Sequence, residues 1–189
     1  MARWKRVKWT EARQIAELLD WEGDLGGRAR DAPEDYFASL RQAGRLSEAV
    51  MFLSQALPRY ETVAWAVRAV RDLAPGPETP GPDGEALKAT LLWVQDPSDA
   101  RRRAAFEAAG RTKRNSPEKL AALAAFFSGG SVTPEDCPPT PPPNNVAGRF
   151  AAGAVLLAAI RTGDGQAGMS RALDFGAQIA ERGLEPAPP

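Results

Sequence analysis

Apolar residues recur every three and four positions along nearly the whole chain, and proline, glycine or both separate the runs they form. That period belongs to helices with a buried face, and the β-branched clusters that strands favour are scarce. The pattern predicts an all-α fold: a single bundle of about eight or nine helices built from helical hairpins. Many helix starts are marked by proline in the first turn, where the N–H it lacks would have no partner anyway.

The first helix is expected at about 10–21, entered through Thr10, with Ile15, Leu18, Leu19 and Trp21 inward and Gly23, Gly26 and Gly27 ending it. A second runs from near Pro33 to Gln42 with Tyr36, Phe37 and Leu40 on its apolar side, and Gly44 ends it. Ser47 is the expected N-cap of a third that stops at Pro58, where the fourth begins. In the fourth, Tyr60, Val63, Ala64, Val67 and Val70 form one stripe and Trp65 and Ala69 lie off it, leaving only Glu61, Arg68 and Asp72 as a polar stripe. A helix so widely apolar is covered from two sides and should be central.

The Pro/Gly-rich segment 74–84 is expected to be a surface loop. A fifth helix follows from Glu85, with Leu87, Leu91 and Val94 on one face and Ala86, Ala89 and Trp93 on another. Asp96 is the expected N-cap of an alanine-rich sixth that runs to about Ala109. Ser116 and Pro117 start the seventh, whose Leu120, Leu123, Ala124 and Phe127 form its stripe and which ends at Gly129 and Gly130. An eighth helix covers about 145–160, and a ninth, about 166–181, carries Met169, Leu173, Gly176, Ile179 and Ala180. Residues 183–189 are expected to form a loose tail.

Composition narrows the chemistry. At 189 residues the chain suits one domain with a real core, and its 24 basic and 24 acidic side chains cancel. Histidine is absent, which excludes Ser-His-Asp, Cys-His and zinc-finger arrangements. Cys137, the single cysteine, has acidic neighbours that disfavour its thiolate, and it reads as an inert loop thiol. No apolar stretch follows the basic start as in a secretory signal, and the uncharged run 150–160 is too short to span a bilayer. These features together suggest a cytoplasmic protein.

Four stretches could carry function. Residues 128–145, SGGSVTPEDCPPTPPPNN, put their glycines after a helix and before prolines, unlike a phosphate cradle. They read as a strap between the seventh and eighth helices, with a proline-motif ligand as the alternative; Ser128, Gly129 and Gly130 are its candidate interaction residues. Arg101, Arg102 and Arg103, with Arg111, Lys113 and Arg114 nearby, could grip phosphate but read as a solvated face, with Arg101 and Arg102 as candidates. Trp4 and Trp9, interleaved with Arg3, Lys5, Arg6 and Lys8, form a basic aromatic arm over residues 1–9: an interaction segment or a piece folded back on the bundle. The D-x-x-D at 96–99 is better spent on capping than on a metal, and no cofactor, metal site or catalytic constellation is expected.

The blocks FLSQALPRYETVAWAVRAVRDL, LLWVQDPSDARRRAAFEAA, LAALAAFFSGGSVTP and PPPNNVAGRFAAGAVLLAAI, in this order, resemble an uncharacterised bacterial family of small helical proteins often encoded near type VI secretion genes. The resemblance covers roughly residues 46–180, and its most specific pieces are Trp93 to Arg103 and Phe126 to Ser131. It implies a helical fold and carries over no catalytic residue. The leading expectation is a non-enzymatic adaptor or accessory protein that binds another protein, conceivably in a secretion apparatus. The alternatives are an enzyme with a carboxylate and arginine site, or a weak nucleic-acid binder through 101–114, although no nucleic-acid partner is expected.

Overall fold

A computed structural model describes residues 3–21, 25–74, 80–134 and 136–184. Among them are nine helices and no strands: α1 (Ala12–Leu18), α2 (Pro33–Gln42), α3 (Leu46–Ala56), α4 (Arg59–Asp72), α5 (Gly81–Gln95), α6 (Asp99–Arg111), α7 (Pro117–Phe126), α8 (Val146–Arg161) and α9 (Gly165–Arg182). The all-α bundle is as the periodicity predicts. No helix of the described residues is long and apolar enough to cross a membrane. Residues 1 and 2 of the expected arm, Gly23, residues 75–79 of the 74–84 segment, Glu135 and residues 185–189 of the expected tail lie outside the described residues.

The central position expected for α4 follows from its sequence. Its flanks meet α5, α7, α8 and α9, and Val63, Trp65, Ala66, Val67 and Val70 are buried. Trp65 is wholly inaccessible and donates Nε1 to the Ala172 carbonyl oxygen at 2.8 Å. It fits because residue 176 is glycine: a Cβ there would lie 2.7 Å from Trp65 Nε1 and 2.5 Å from Leu53 Cδ2. Two positions of α4 differ from expectation. Tyr60 is exposed at the helix end, where its hydroxyl donates to the Val94 carbonyl oxygen, and Glu61 is buried against Arg6.

Several helix ends also differ, each for a local reason. α1 starts later than Thr10, because Glu11 and Gln14 form a reciprocal capping box, and it stops short of Trp21 with Asp20 in the left-handed region. Ser47 lies inside α3 rather than capping it, and its hydroxyl donates to Met169 Sδ. α5 begins at Gly81, inside the expected loop, with a proline in its first turn. Ser98, not Asp96, caps α6, while Asp96 closes α5 and pairs with Arg101 at 3.3 Å.

The face of α7 that goes deepest is not the leucine stripe. Ala121, Ala122, Ala124 and Ala125 are buried, whereas Leu120, Leu123 and Phe127 are half-buried. Opposite lie Ala147, Ala151, Ala154, Val155 and Ala158 of α8. Small side chains on both helices let their backbones approach closely, and a larger residue is then tolerated only at the seam's edge.

Candidate functional site

The arginine triplet and the strap form one structure. Arg102 is buried rather than solvated: its Nη1 donates to the Phe126 carbonyl oxygen at 2.7 Å and its Nη2 to the Ser131 carbonyl oxygen at 2.8 Å. The same guanidinium holds Asp99 Oδ1 at 2.6 Å and lies over the Phe126 ring. Arg103 binds Asp99 Oδ2 at 2.8 Å and the Thr133 carbonyl oxygen at 3.1 Å, and Arg101 reaches the Leu92 carbonyl oxygen at 2.8 Å. The solvated-face reading fails for Arg102 and Arg103 because they have carbonyls to satisfy at the end of α7 and in the strap, which neighbours along the helix cannot show. Hydrogen bonds from Arg102 and then Arg103 hold the Asp99 carboxyl below its ordinary range.

Gly130 has φ of +66°, and a Cβ on it would sit 2.9 Å from the Arg102 guanidinium, so the glycine answers both the turn and the arginine. Ser128 returns its hydroxyl to the Ala125 carbonyl oxygen, and Gly129 lies beside it at the helix end. The strap closes on itself through the Val132 N–H to the Thr140 carbonyl oxygen, and Pro142 is buried. Arg59, which composition and spacing did not single out, binds the strap near both ends, at the Ser128 carbonyl oxygen (3.3 Å) and Asn144 Oδ1 (2.6 Å). Between these anchors lies a shallow cleft of about 540 Å³, with Tyr60, Trp93, Asp99 and Arg102 on its walls. Cys137 is exposed in the strap.

Replacing Arg102 with lysine is expected to keep the charge but lose the planar fork, costing about 1.5–3 kcal/mol for the charged hydrogen bonds it can no longer make. Hydrogen exchange at Val132 should accelerate more than exchange in α4. Uniform acceleration over all helices would instead show that Arg102 supports the whole bundle and not the strap.

The N-terminal segment is folded back. Trp4 is buried with its ring centroid 5.0 Å from that of Phe37, which leaves little of the indole exposed. Arg6 donates its backbone N–H to the Ala180 carbonyl oxygen and its side chain to Glu61 Oε1 at 2.6 Å. Trp9 is half-buried, with Nε1 on the Gln55 carbonyl oxygen at 3.2 Å and Lys8 Nζ 4.5 Å from its ring centroid. Arg3, Lys5 and Lys8 remain exposed.

A groove that the sequence reading did not find runs between α4, α5 and α9, with a volume of about 560 Å³. Its apolar floor is built from Ala64, Val67, Leu91, Val94, Phe175 and Ile179, and Leu184 lies at one end. Arg68, Arg71 and Arg182 stand on its rim. Arg68 lies over the Phe175 ring, 3.5 Å from the centroid, and shares Asp72 with Arg71 at 3.1 and 3.0 Å. One carboxylate against three guanidinium groups leaves the rim positive. Gln95 and Gln178, also in the lining, are exposed. Only the spacing of Arg68 and Arg71 beside the apolar stripe of α4 hinted at this groove, because its other two walls come from helices remote in sequence.

The strap anchors and most of the groove fall within one stretch of sequence similarity. A family model described as a family of unknown function (DUF6931) matches residues 36–180. The chain belongs to that family. The match begins about ten residues before the resemblance read from the sequence blocks, so it takes in nearly all of α2, and it leaves α1 and the basic arm outside. No curated protein and no solved structure matches the chain. Within the family's span lie Arg59, Arg102, Arg103 and the whole strap, together with all three rim arginines but Arg182. Among the described residues, no group of three or more Cys, Asp or Glu side chains is placed to hold a metal ion.

Proposed function

We propose that the protein is a non-enzymatic helical adaptor that docks an acidic amphipathic helix of another protein in the groove between α4, α5 and α9. The observation that carries this reading is the pairing of an apolar floor with a rim of three arginines and one aspartate. An incoming helix would set residues spaced i, i+3, i+4 and i+7 on Leu91, Val94 and Phe175, and place carboxylates opposite Arg68, Arg71 and Arg182. Elsewhere several arginines are spent on single carboxylates, as in Arg41 with Asp174 at 2.7 Å and Arg28 with Asp31 at 2.6 Å. The resemblance to proteins encoded near type VI secretion genes makes a component of that apparatus the partner to look for first.

Arg68→Glu together with Arg182→Glu reverses the rim charge while keeping every apolar residue of the floor. Affinity purification from the native host with mass spectrometry is expected to recover one dominant partner with the unaltered protein, depleted at least about tenfold with the double variant, as for the loss of two charge pairs. Equal recovery by both would place the docking surface elsewhere. Recovery of no partner by either would count against the adaptor role itself.

A further inference from the structure

A second cleft, of about 370 Å³, lies where the N-terminal segment crosses the corner between α3 and α4. Its apolar walls are Trp9, Leu18, Leu57 and Pro58, its charged side chains are Lys8 and Arg59, and no carboxylate lines it. The walls are fixed in advance. Trp9 is held by its Nε1 on the Gln55 carbonyl oxygen, and the Gln55 side chain by its Nε2 on the Asn145 carbonyl oxygen at 2.8 Å. Residue 148 must be glycine for this, since a Cβ there would come within 2.6 Å of the Gln55 amide.

The charge on Arg59 is what the surroundings leave unanswered. Its two hydrogen bonds go to the Ser128 carbonyl oxygen and the Asn144 side-chain oxygen, both neutral. Arg6, Arg41, Arg102, Arg149 and Arg161, by contrast, each meet a carboxylate. Lys8, the second cation, interacts with the face of Trp9 and with no carboxylate among the described residues. Two cations beside a rigid apolar wall attract an anion more strongly than the same cations in open water, because part of the hydration shell is displaced by low-dielectric surface.

We propose that this cleft binds a small organic anion, with its carboxylate between Lys8 and Arg59 and its apolar body against Trp9 and Leu57. The volume lies at the lower end of the range of roughly 300–1,000 Å³ typical of ligand pockets, which suits a body of few carbons. The inference is independent of the groove, with which this cleft shares no residue.

The test is isothermal titration of the full chain with hexanoate, hexanol and inorganic phosphate, repeated on Lys8→Gln, Arg59→Gln and, as a control in the groove, Arg68→Gln. Saturable hexanoate binding is expected, with hexanol and phosphate each weaker. Lys8→Gln and Arg59→Gln should each lower hexanoate affinity by about tenfold or more, the usual worth of a charged hydrogen bond, and Arg68→Gln should leave it unchanged. Arg59→Gln also releases the strap, so Lys8→Gln carries the decision: Lys8 is exposed and holds no hydrogen bond to the rest of the fold. Absence of saturable hexanoate binding, affinity unchanged by Lys8→Gln, or phosphate binding more tightly than hexanoate would each overturn the proposal.

Discussion

Replacing Arg161 with alanine is expected to lower folding stability by about 3–5 kcal/mol, the cost of leaving a buried charge without its partner. Glu118 in the first turn of α7 is wholly inaccessible, and both of its carboxylate oxygens accept from Arg161 near the end of α8, at 2.5 and 2.8 Å. Burial alone would push this carboxyl up. The hydrogen bonds from Arg161, the backbone N–H and Ser116, with the arginine's charge, outweigh it and hold the carboxyl below its ordinary range. Its contribution is therefore complete above the unfolded-state value of about 4.3 and is lost as pH falls through the lower folded-state value.

The sign reverses in the variant. Without Arg161, burial dominates and the folded-state pKa of Glu118 rises above the unfolded one, so the variant gains stability relative to neutral pH as the carboxyl is protonated. Denaturant unfolding of both proteins between neutral and mildly acidic pH should show the gap shrinking on acidification. A gap that stays constant would mean that the penalty comes from lost packing of the arginine stem and not from charge.

The second large effect is in the core. Trp65→Ala should cost about 3–5 kcal/mol, because the cavity it leaves is lined by α3, α4 and α9 and cannot close without moving one of them. Gly176→Ala in the unaltered protein should cost about 1–3 kcal/mol despite alanine's better helix propensity, since its methyl group would press on Leu53 and Trp65. The two changes share one space and so should not add. In the Trp65→Phe background, where the indole nitrogen is gone, the penalty of Gly176→Ala is expected to fall. Chemical denaturation of the four proteins measures the coupling, and strict additivity would show that Gly176 is not there to admit Trp65.

What the sequence made legible was whatever is decided within a turn or two. The cap at Ser116 and the ends of α2 and α8 follow from local chemistry, and they fall where the residues indicated. The strap was readable for the same reason, since glycines after a helix and prolines before the next leave the chain little else to form. Competing local signals misled: Ser47 and Asp96 both have the chemistry of an N-cap, yet Ser47 lies inside α3, and Asp96 closes α5 while Ser98, two residues on, accepts from the backbone of α6. Charges inside the bundle stayed hidden because each has a remote partner. Glu118 meets a residue 43 positions away and Glu61 one 55 positions away, so a period-based reading could only place them on polar faces. Arg102 was misread for a related reason: its three consecutive arginines look alike in sequence, and only the turn after α7 distinguishes the middle one. The groove left only the hint of Arg68 and Arg71 beside the stripe of α4, being shared by three helices that contribute ordinary apolar residues.

The adaptor reading stands or falls on what touches that groove in the cell. A photo-crosslinking amino acid placed at Gln178, an exposed residue of the groove lining, should yield one dominant adduct in the native host, whose crosslinked peptide is an acidic helix with apolar residues on one face. The same group at Glu107, exposed on α6, a helix that contributes nothing to the groove, should yield none. Identical adducts from both positions, or none from Gln178 under conditions in which the protein is abundant, would contradict docking in this groove.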